Sequence, residues 1–408
     1  MDPLVSDLMS AVTVIGIGAD GWSGLPTAQR ERVLAAEVVL GGARHLAMLP
    51  DVTDQVREPW PSPLREGLPA LLWKYDGRRV VALASGDPFV SGIGGTLVGL
   101  LGRSAVAVEP AVSSVALARA RMGWDSESVE VISLVGRDLH AVLRALAPGH
   151  RLVVLSSDAG TPEQVAALLT GAGYGASTMT VLGDLGSRDE TRLATTAAEW
   201  GGRAAQLNVV ALDLVGPVIG GRSAGLPDDA FEHDGQLTKR DLRASAMARL
   251  APTPGALLWD VGAGAGSVGI EWMRADPTCR AIAVEDNPER VARIARNAQA
   301  LGVPALRVVE GRAPQALEGL SSPDAIFIGG GATADGMIEN ALAALGPDGR
   351  LVVHGVTVET EAVIAAAHRR HGGELTRHQV ETAAPIGTFT GWTPARTVTQ
   401  WAFAKEQS

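Results

Sequence analysis

The sequence predicts an α/β protein of two successive domains, and three observations carry that expectation. Strand-length apolar runs alternate along the chain with Ala-, Leu- and Arg-rich segments at helical spacing. Many of those runs leave through glycine-rich turns, as parallel strands do when they feed helices. The alternation loses its hold over residues 216–229, a stretch rich in Gly and Pro with few large apolar residues, which sets the domains at 1–222 and 223–408.

The first half offers strands at Val12–Ile17, Val80–Ala84, Val129–Leu134, Leu152–Leu155 and Leu207–Leu214, in mostly parallel sheets. Helical spacing falls at Val112–Arg121 and Pro162–Leu169. The second half is more regular, with strands at Leu257–Val261, Ala281–Glu285, Leu306–Val309, Ala325–Ile328 and Leu351–His354. Helices are expected at Asp241–Leu250, Pro288–Leu301, Asp335–Leu345 and Glu359–His371, with Pro288 in a first turn capped by Asp286 or Asn287. The segment Arg396–Ala404 alternates apolar and polar residues like an edge strand. The second domain therefore reads as a doubly wound sheet with an antiparallel addition.

Composition narrows the class. Of 408 residues, 46% are apolar and 20% charged, ample for packed cores and inconsistent with a largely disordered chain. A single cysteine, Cys279, permits no internal disulfide and points to a reducing compartment, with a packing role for the thiol. The first ten residues lack a basic segment followed by an apolar one, and the apolar runs are too short to span a bilayer. A cytoplasmic, soluble protein is expected. Residues 1–222 carry 18 basic and 23 acidic side chains and the remainder 17 and 22, so neither half is a basic nucleic-acid domain.

The sharpest motif is Asp260-x-Gly262-x-Gly264-x-Gly266, which leaves a strand, turns through glycines and enters a helix. Glycines permit the tight turn and let backbone N–H groups approach a ligand at a helix N-terminus. Glu285 closes the next strand, where a carboxylate can accept both hydroxyls of a ribose. Spacing alone leaves the ligand open, because Gly264-x-Gly266-x-x-Gly269 also matches the dinucleotide fingerprint. Thr238 precedes a helix as a candidate cap, and Arg312-Ala313-Pro314 follows the third strand. Trp259 and Trp272 flank the loop as core residues.

The first half carries Gly16-Ile17-Gly18-Ala19-Asp20, Gly41-Gly42-Ala43-Arg44-His45, Ser85-Gly86-Asp87-Pro88 and Pro110-Ala111-Val112-Ser113-Ser114. Each alone is ordinary turn chemistry. Their order and spacing resemble the tetrapyrrole methylase family. The GxGxGD opening of that family is degraded here, its GDP motif is intact, and alanine replaces the glycine of its PGxSS-like segment at Ala111. The second half resembles class I S-adenosylmethionine methyltransferases, whose first motif matches residues 260–266. The antiparallel addition favours that reading over a dinucleotide site.

Taken in this order, the halves resemble the fused, decarboxylating methyltransferases that act on a precorrin in cobalamin biosynthesis. The most specific segments are Gly41–Leu46, Leu226–Ala244, Leu257–Ala275 and Ala325–Gly331, within a resemblance spanning about residues 11–405. It implies an N-terminal two-lobed tetrapyrrole methylase fold followed by a Rossmann-like class I methyltransferase sheet. It also implies S-adenosylmethionine as methyl donor, one per domain. The first domain would methylate carbon 5 of the macrocycle, and the second would handle carbon 15 and loss of the ring C acetate carboxyl. Donor-site residues would be Gly18, Gly86, Asp87, Ser113 and Ser114 in the first domain. In the second they would be Thr238, Asp260, Gly262, Gly264, Gly266, Glu285 and Ala313, with adenine near Ala313 and the substrate near Phe327–Gly331.

A reduced macrocycle supplies its own enamine-like carbon, so the enzyme's task is alignment, proton handling and holding carboxylates. His45, His233 and His354, at motif or strand ends, are the acid–base candidates, and Asp87 is expected to shape the donor site. Arg44, Arg137, Arg188, Arg240 and Arg312 are candidates for the carboxylates. No metal is expected; His368 and His371 read as a basic helix C-terminus beside Arg369 and Arg370. The expected partner is a small-molecule tetrapyrrole in a homo-oligomeric enzyme, without nucleic acid or membrane. The competing readings are a donor-binding scaffold or sensor without catalysis, and an RNA methyltransferase, which the lack of a basic domain disfavours.

Overall fold

A sheet of short strands, apolar at its centre, opens the chain in the computed structural model, which describes residues 11–218 and 220–405. The strands are β1 (Val12–Ile17), β2 (Val38–Gly41), β3 (Val56–Pro59), β4 (Val80–Ser85) and β5 (Val106–Glu109), in the order β3-β2-β4-β1-β5. All pairs are parallel. Helices α1 (Thr27–Ala35), α2 (Ala43–Ala47), α3 (Leu64–Lys74) and α4 (Gly94–Leu101) connect them. Residue alternation in β1 sorts the two faces. Val12 and Val14 pack with Leu68, Leu72 and Leu97, while Ile15 and Ile17 pack with Val33 and Leu83.

A second sheet follows helix α5 (Ser114–Met122). It comprises β6 (Val129–Ser133), β7 (Arg151–Leu155), β8 (Thr178–Gly183), β9 (Thr191–Thr196) and β10 (Asn208–Asp213), with α6 (Thr161–Gly171) between β7 and β8. Its order is β6-β7-β10-β8-β9, and only β6–β7 is parallel. The expectation of mostly parallel sheets thus fails for this layer. Only β8–β9 is a hairpin; β10 returns from further along the chain to run antiparallel between β7 and β8, and the edge strand β9 leaves most of its residues in solvent.

By internal contacts the chain forms two units, one running to Arg137 and including Pro148–Gly216, the other taking Asp138–Ala147 and Pro217 onward. The second unit contains α7 (Arg240–Leu250), β11 (Leu257–Val261), α8 (Ser267–Ala275), β12 (Arg280–Glu285), α9 (Pro288–Ala300), β13 (Arg307–Glu310), β14 (Ala325–Ile328), α10 (Met337–Ala344), β15 (Arg350–Gly355) and α11 (Val358–His371). Then come β16 (Glu374–His378), β17 (Glu381–Ile386), β18 (Phe389–Pro394) and β19 (Val398–Ala404). The sheet order is β13-β12-β11-β14-β15-β19-β16, and β17–β18 is a separate hairpin. Strand β19 pairs antiparallel with both β15 and β16.

β19 is therefore interior, not the edge strand its alternation suggested. Its polar residues are buried and bonded. Gln400 meets His354 on β15, and the Thr399 hydroxyl donates to Glu361 on α11 at 2.8 Å. Asn287 caps α9 through its Oδ1, 2.9 Å from the Glu289 N–H. Thr238 does not cap α7, which starts at Arg240 after Lys239 without a side-chain cap. Trp259, Trp272 and Cys279 are core residues, and burial pushes the Cys279 thiol up to about 11. Among the described residues no helix is long and apolar enough to cross a membrane.

Candidate active site

In the second unit, the carboxyl ends of the five parallel strands β11–β15 open on one cavity of about 1120 Å³. Gly262, Gly264, Glu285, Ala313 and Gly329–Gly331 line one side of it, while Thr238, Arg240, His354, His378 and Arg396 line others. A crevice beyond the carboxyl ends of parallel strands is where open α/β sheets hold ligands.

The glycine loop is built differently from the sequence expectation. Its N–H groups turn inward: Gly262 and Ala263 donate to the Val284 carbonyl at 3.0 and 3.2 Å, and Gly266 donates to Ala263 at 2.8 Å. Gly264 donates to Glu285 Oε2 at 2.8 Å. The glycines are needed for room and for positive φ. A side chain at Gly262 would meet the backbone of Gly330 at 2.8 Å, and one at Gly264 the Gln236 carbonyl at 2.8 Å.

Glu285 is buried, yet its carboxylate reaches the cavity. Besides Gly264 it accepts the Asn287 N–H at 3.2 Å and stands 3.7 Å from Arg290. Each oxygen keeps acceptor capacity for a ligand hydroxyl. Asp260 and Gly266 are placed elsewhere. Asp260 lies under the loop, fully buried, with Oδ2 accepting the Gly269 N–H at 2.9 Å and Oδ1 without a partner. Burial raises its pKa to about 7, with Glu285 adding to the effect. Gly266 faces Ile294 of α9, whose methyl a side chain there would meet at 2.8 Å.

The opposite wall is polar. His354 lies next to the end of β15, its Nε2 is 2.9 Å from Gln400 Oε1, and the Phe327 ring meets it edge-on. Burial brings the His354 pKa down to about 4, so the imidazole is neutral near pH 7. Its Nδ1 takes no hydrogen bond from the described residues. His378 joins this wall through Thr376 Oγ1 at 3.0 Å. His233 is not brought in; it is exposed, with Nδ1 accepting the Gly235 N–H at 3.1 Å.

Sequence reasoning missed a clamp beside the cavity. Arg243 and Glu271 are buried and paired at 2.6 Å. Glu271 accepts the Gly225 and Leu226 N–H groups at 2.7 and 2.8 Å. Arg243 donates to the carbonyls of Leu226 and Thr238. The pair anchors both ends of the segment that carries Thr238 into the cavity. The signal was a charge, Glu271, inside the otherwise apolar run of α8.

In the first unit, three loops meet at the carboxyl edge of the sheet. Gly86 donates to the Ile17 carbonyl at 2.9 Å and accepts from Ala111 at 3.1 Å. A side chain at Gly16 would lie 2.0 Å from the Gly86 oxygen and 2.4 Å from the Ala111 nitrogen, so backbone packs directly on backbone. Asp87 Oδ1 accepts the Phe89 N–H at 2.9 Å, shaping the turn. Ser113 caps α5 through the Ala116 N–H at 3.1 Å, with Ser114 as its first residue. The Gly18 carbonyl accepts from Gly21 at 3.2 Å. His45 is buried, and burial together with Arg44 lowers its pKa to about 4. Of the other candidate arginines, Arg137 and Arg188 are exposed, and Arg240 and Arg312 line the second unit's cavity.

Comparison with known proteins matches residues 11–200 to the tetrapyrrole (corrin/porphyrin) methylases and residues 229–405 to the precorrin methyltransferase domain. A precorrin-6Y C(5,15)-methyltransferase [decarboxylating] from Sinorhizobium is 46% identical over 97% of this chain and 96% of its own. One from Mycobacterium tuberculosis is 44% identical over 97% of this chain and 100% of its own. The chain belongs to this family. A cobalt-precorrin-6B C(15)-methyltransferase (decarboxylating) from Salmonella typhimurium is 32% identical over 42% of this chain and 91% of its own. Membership in the decarboxylating precorrin methyltransferases accounts for two α/β units with unlike sheets in one chain, and it makes the chain a C-methyltransferase. Among the described residues no group of three or more His, Cys, Asp or Glu side chains is placed to hold a metal ion.

Proposed function

We propose that this chain transfers methyl groups from S-adenosylmethionine to carbons 5 and 15 of precorrin-6Y and removes carbon dioxide from the ring C acetate, giving precorrin-8X. The observation that carries the reading is the second unit's cavity, where a glycine-walled side with a buried carboxylate faces a side of histidines and arginines. The first side suits a nucleoside and the second a polycarboxylate whose protons must move.

The donor supplies an electrophilic methyl group. In the second unit Glu285 would accept the ribose hydroxyls, with Gly262, Gly264, Thr238 and Ala313 around the remainder. In the first unit Gly18, Gly86, Asp87, Ser113 and Ser114 would hold a second donor. The two units thus divide the work, carbon 5 to the first and carbon 15 with decarboxylation to the second. A shorter C(15)-methyltransferase relative, matched over 91% of its length, supports that division. Alignment is the main contribution, since an enamine-like carbon attacks the methyl without an enzymic nucleophile. When carbon dioxide leaves, its bonding electron pair passes into the conjugated ring system and the remaining CH₂ gains a proton. Neutral His354 stands on the wall where that traffic would pass.

Incubation with precorrin-6Y and S-adenosylmethionine, read by mass spectrometry, should give a doubly methylated, decarboxylated product. Donor binding without any methyl transfer would instead mark a scaffold.

A further inference from the structure

Arg44 and His45 follow β2 on α2, and Ser85 ends β4 next to Gly86. The Arg44 Nη2 lies 2.9 Å from His45 Nε2 and 3.3 Å from Ser85 Oγ, and the last two atoms are 3.0 Å apart. A guanidinium only donates, so His45 Nε2 holds the lone pair and the ring proton sits on Nδ1. The seat of this arginine is therefore neutral. No carboxylate oxygen among the described residues lies within 4 Å of it. Burial lowers the Arg44 pKa, and Asp184 offsets this only from beyond contact. Nε and Nη1 make no hydrogen bond within the described chain. A half-buried cation, oriented by two neutral groups and with no carboxylate in contact, is suited to an anion that arrives from outside.

Its place in the fold says which kind. Ile17 and Ser85 are register partners, so the guanidinium sits at the strand edge where the Gly16, Gly86 and Ala111 backbones meet. We propose that Arg44, seated on His45 and Ser85, forms a carboxylate-binding subsite of the first unit. This rests on the function proposed above, which brings two carboxylate sources to that edge, the acetates and propionates of the macrocycle and the amino-acid end of the donor. His45 is a positioning residue. Being uncharged, it orients the guanidinium without neutralising it.

The test uses the full chain and its Arg44→Gln and Arg44→Lys variants, following carbon-5 methylation by mass spectrometry with carbon-15 methylation as internal control for folding. A 10- to 100-fold rise in KM for precorrin-6Y in Arg44→Gln, with the KM for S-adenosylmethionine unchanged and partial recovery in Arg44→Lys, supports a macrocycle carboxylate. That range converts to about 1.4–2.7 kcal/mol, the loss of a charge-assisted hydrogen bond. Weaker inhibition by S-adenosylhomocysteine, with inhibition by 5′-methylthioadenosine unchanged, supports the donor carboxylate, which only the former carries. Unchanged constants overturn the subsite, and so does equal loss for both inhibitors. Quenching of tryptophan fluorescence by precorrin-6Y reads affinity without turnover. An unmodified chain that binds but makes no product would overturn the function, while the Arg44→Gln affinity would still decide the subsite.

Discussion

Glu285 Oε2 accepts the Gly264 N–H at 2.8 Å, so the strand-tip acid both faces the cavity and holds the glycine loop that forms its wall. Under the proposed function, donor binding and loop architecture would share one carboxylate. Glu285→Ala should weaken donor binding in the second unit by about 10- to 150-fold, the loss of hydrogen bonds worth about 1.5–3 kcal/mol. Calorimetry with S-adenosylhomocysteine should then show one weakened and one intact site per chain. At limiting donor the product should be singly methylated and still carry the ring C acetate. Equal loss of both methylations in a folded variant would refute two separate donor sites.

The buried pair Arg243–Glu271 predicts a stability effect away from the chemistry. Arg243→Ala leaves Glu271 charged and unpaired in the core, which costs about 3–5 kcal/mol. Denaturant unfolding should show that loss. A double change, Arg243→Met with Glu271→Leu, should recover only the part due to the lone charge, because the Gly225 and Leu226 N–H groups and the Leu226 and Thr238 carbonyls would still lose their partners. A loss below about 1 kcal/mol in Arg243→Ala would mean that water relieves the exposed charge.

Asp260 predicts a pH slope. Its folded pKa of about 7 lies above the unfolded value of about 3.9, so between these the unfolded chain has released a proton that the folded chain keeps. Stability from this group therefore falls as pH rises from about 4 to 7 and levels off above. Asp260→Asn retains an acceptor for the Gly269 N–H but cannot ionise. The difference in Tm between pH 5 and pH 7 should shift toward stability at pH 7 in the variant. An identical slope in both proteins would assign the titration elsewhere.

Gly16→Ala tests the first unit in isolation. Its Cβ would be driven into the Gly86 oxygen and the Ala111 nitrogen, both backbone atoms that cannot rotate away. The variant should lose carbon-5 methylation and one donor site while keeping carbon-15 methylation. Retention of both sites would show that the loops have slack.

These particulars mark where the sequence was legible. Strands β11 and β14 fall where their apolar runs start and stop, and Gly262, Gly264 and Glu285 line the cavity as motif chemistry suggested. Strand β2 escaped notice because three apolar residues running into two glycines look like a turn. Asp260 and Gly266 share the motif but face away from the cavity, since spacing locates a strand tip without saying which way each side chain turns. The segment Arg396–Ala404, which holds Thr399 and Gln400, read as an edge strand for a related reason. Polar residues in an alternating strand are indistinguishable in one dimension from buried ones that have found partners across the sheet.

The interior position of β19 has a consequence for how the protein is made. This strand follows both of its neighbours, β15 and β16, in the chain. During synthesis, β15 presents an unpaired edge and β16 has no partner at all until β19 emerges. A half-made sheet with a bare central edge is prone to pair with other chains. Trp401 and Gln400, fully covered in the finished fold, complete that seam last. Nascent chains stalled before Val398 should thus be the ones most dependent on chaperones.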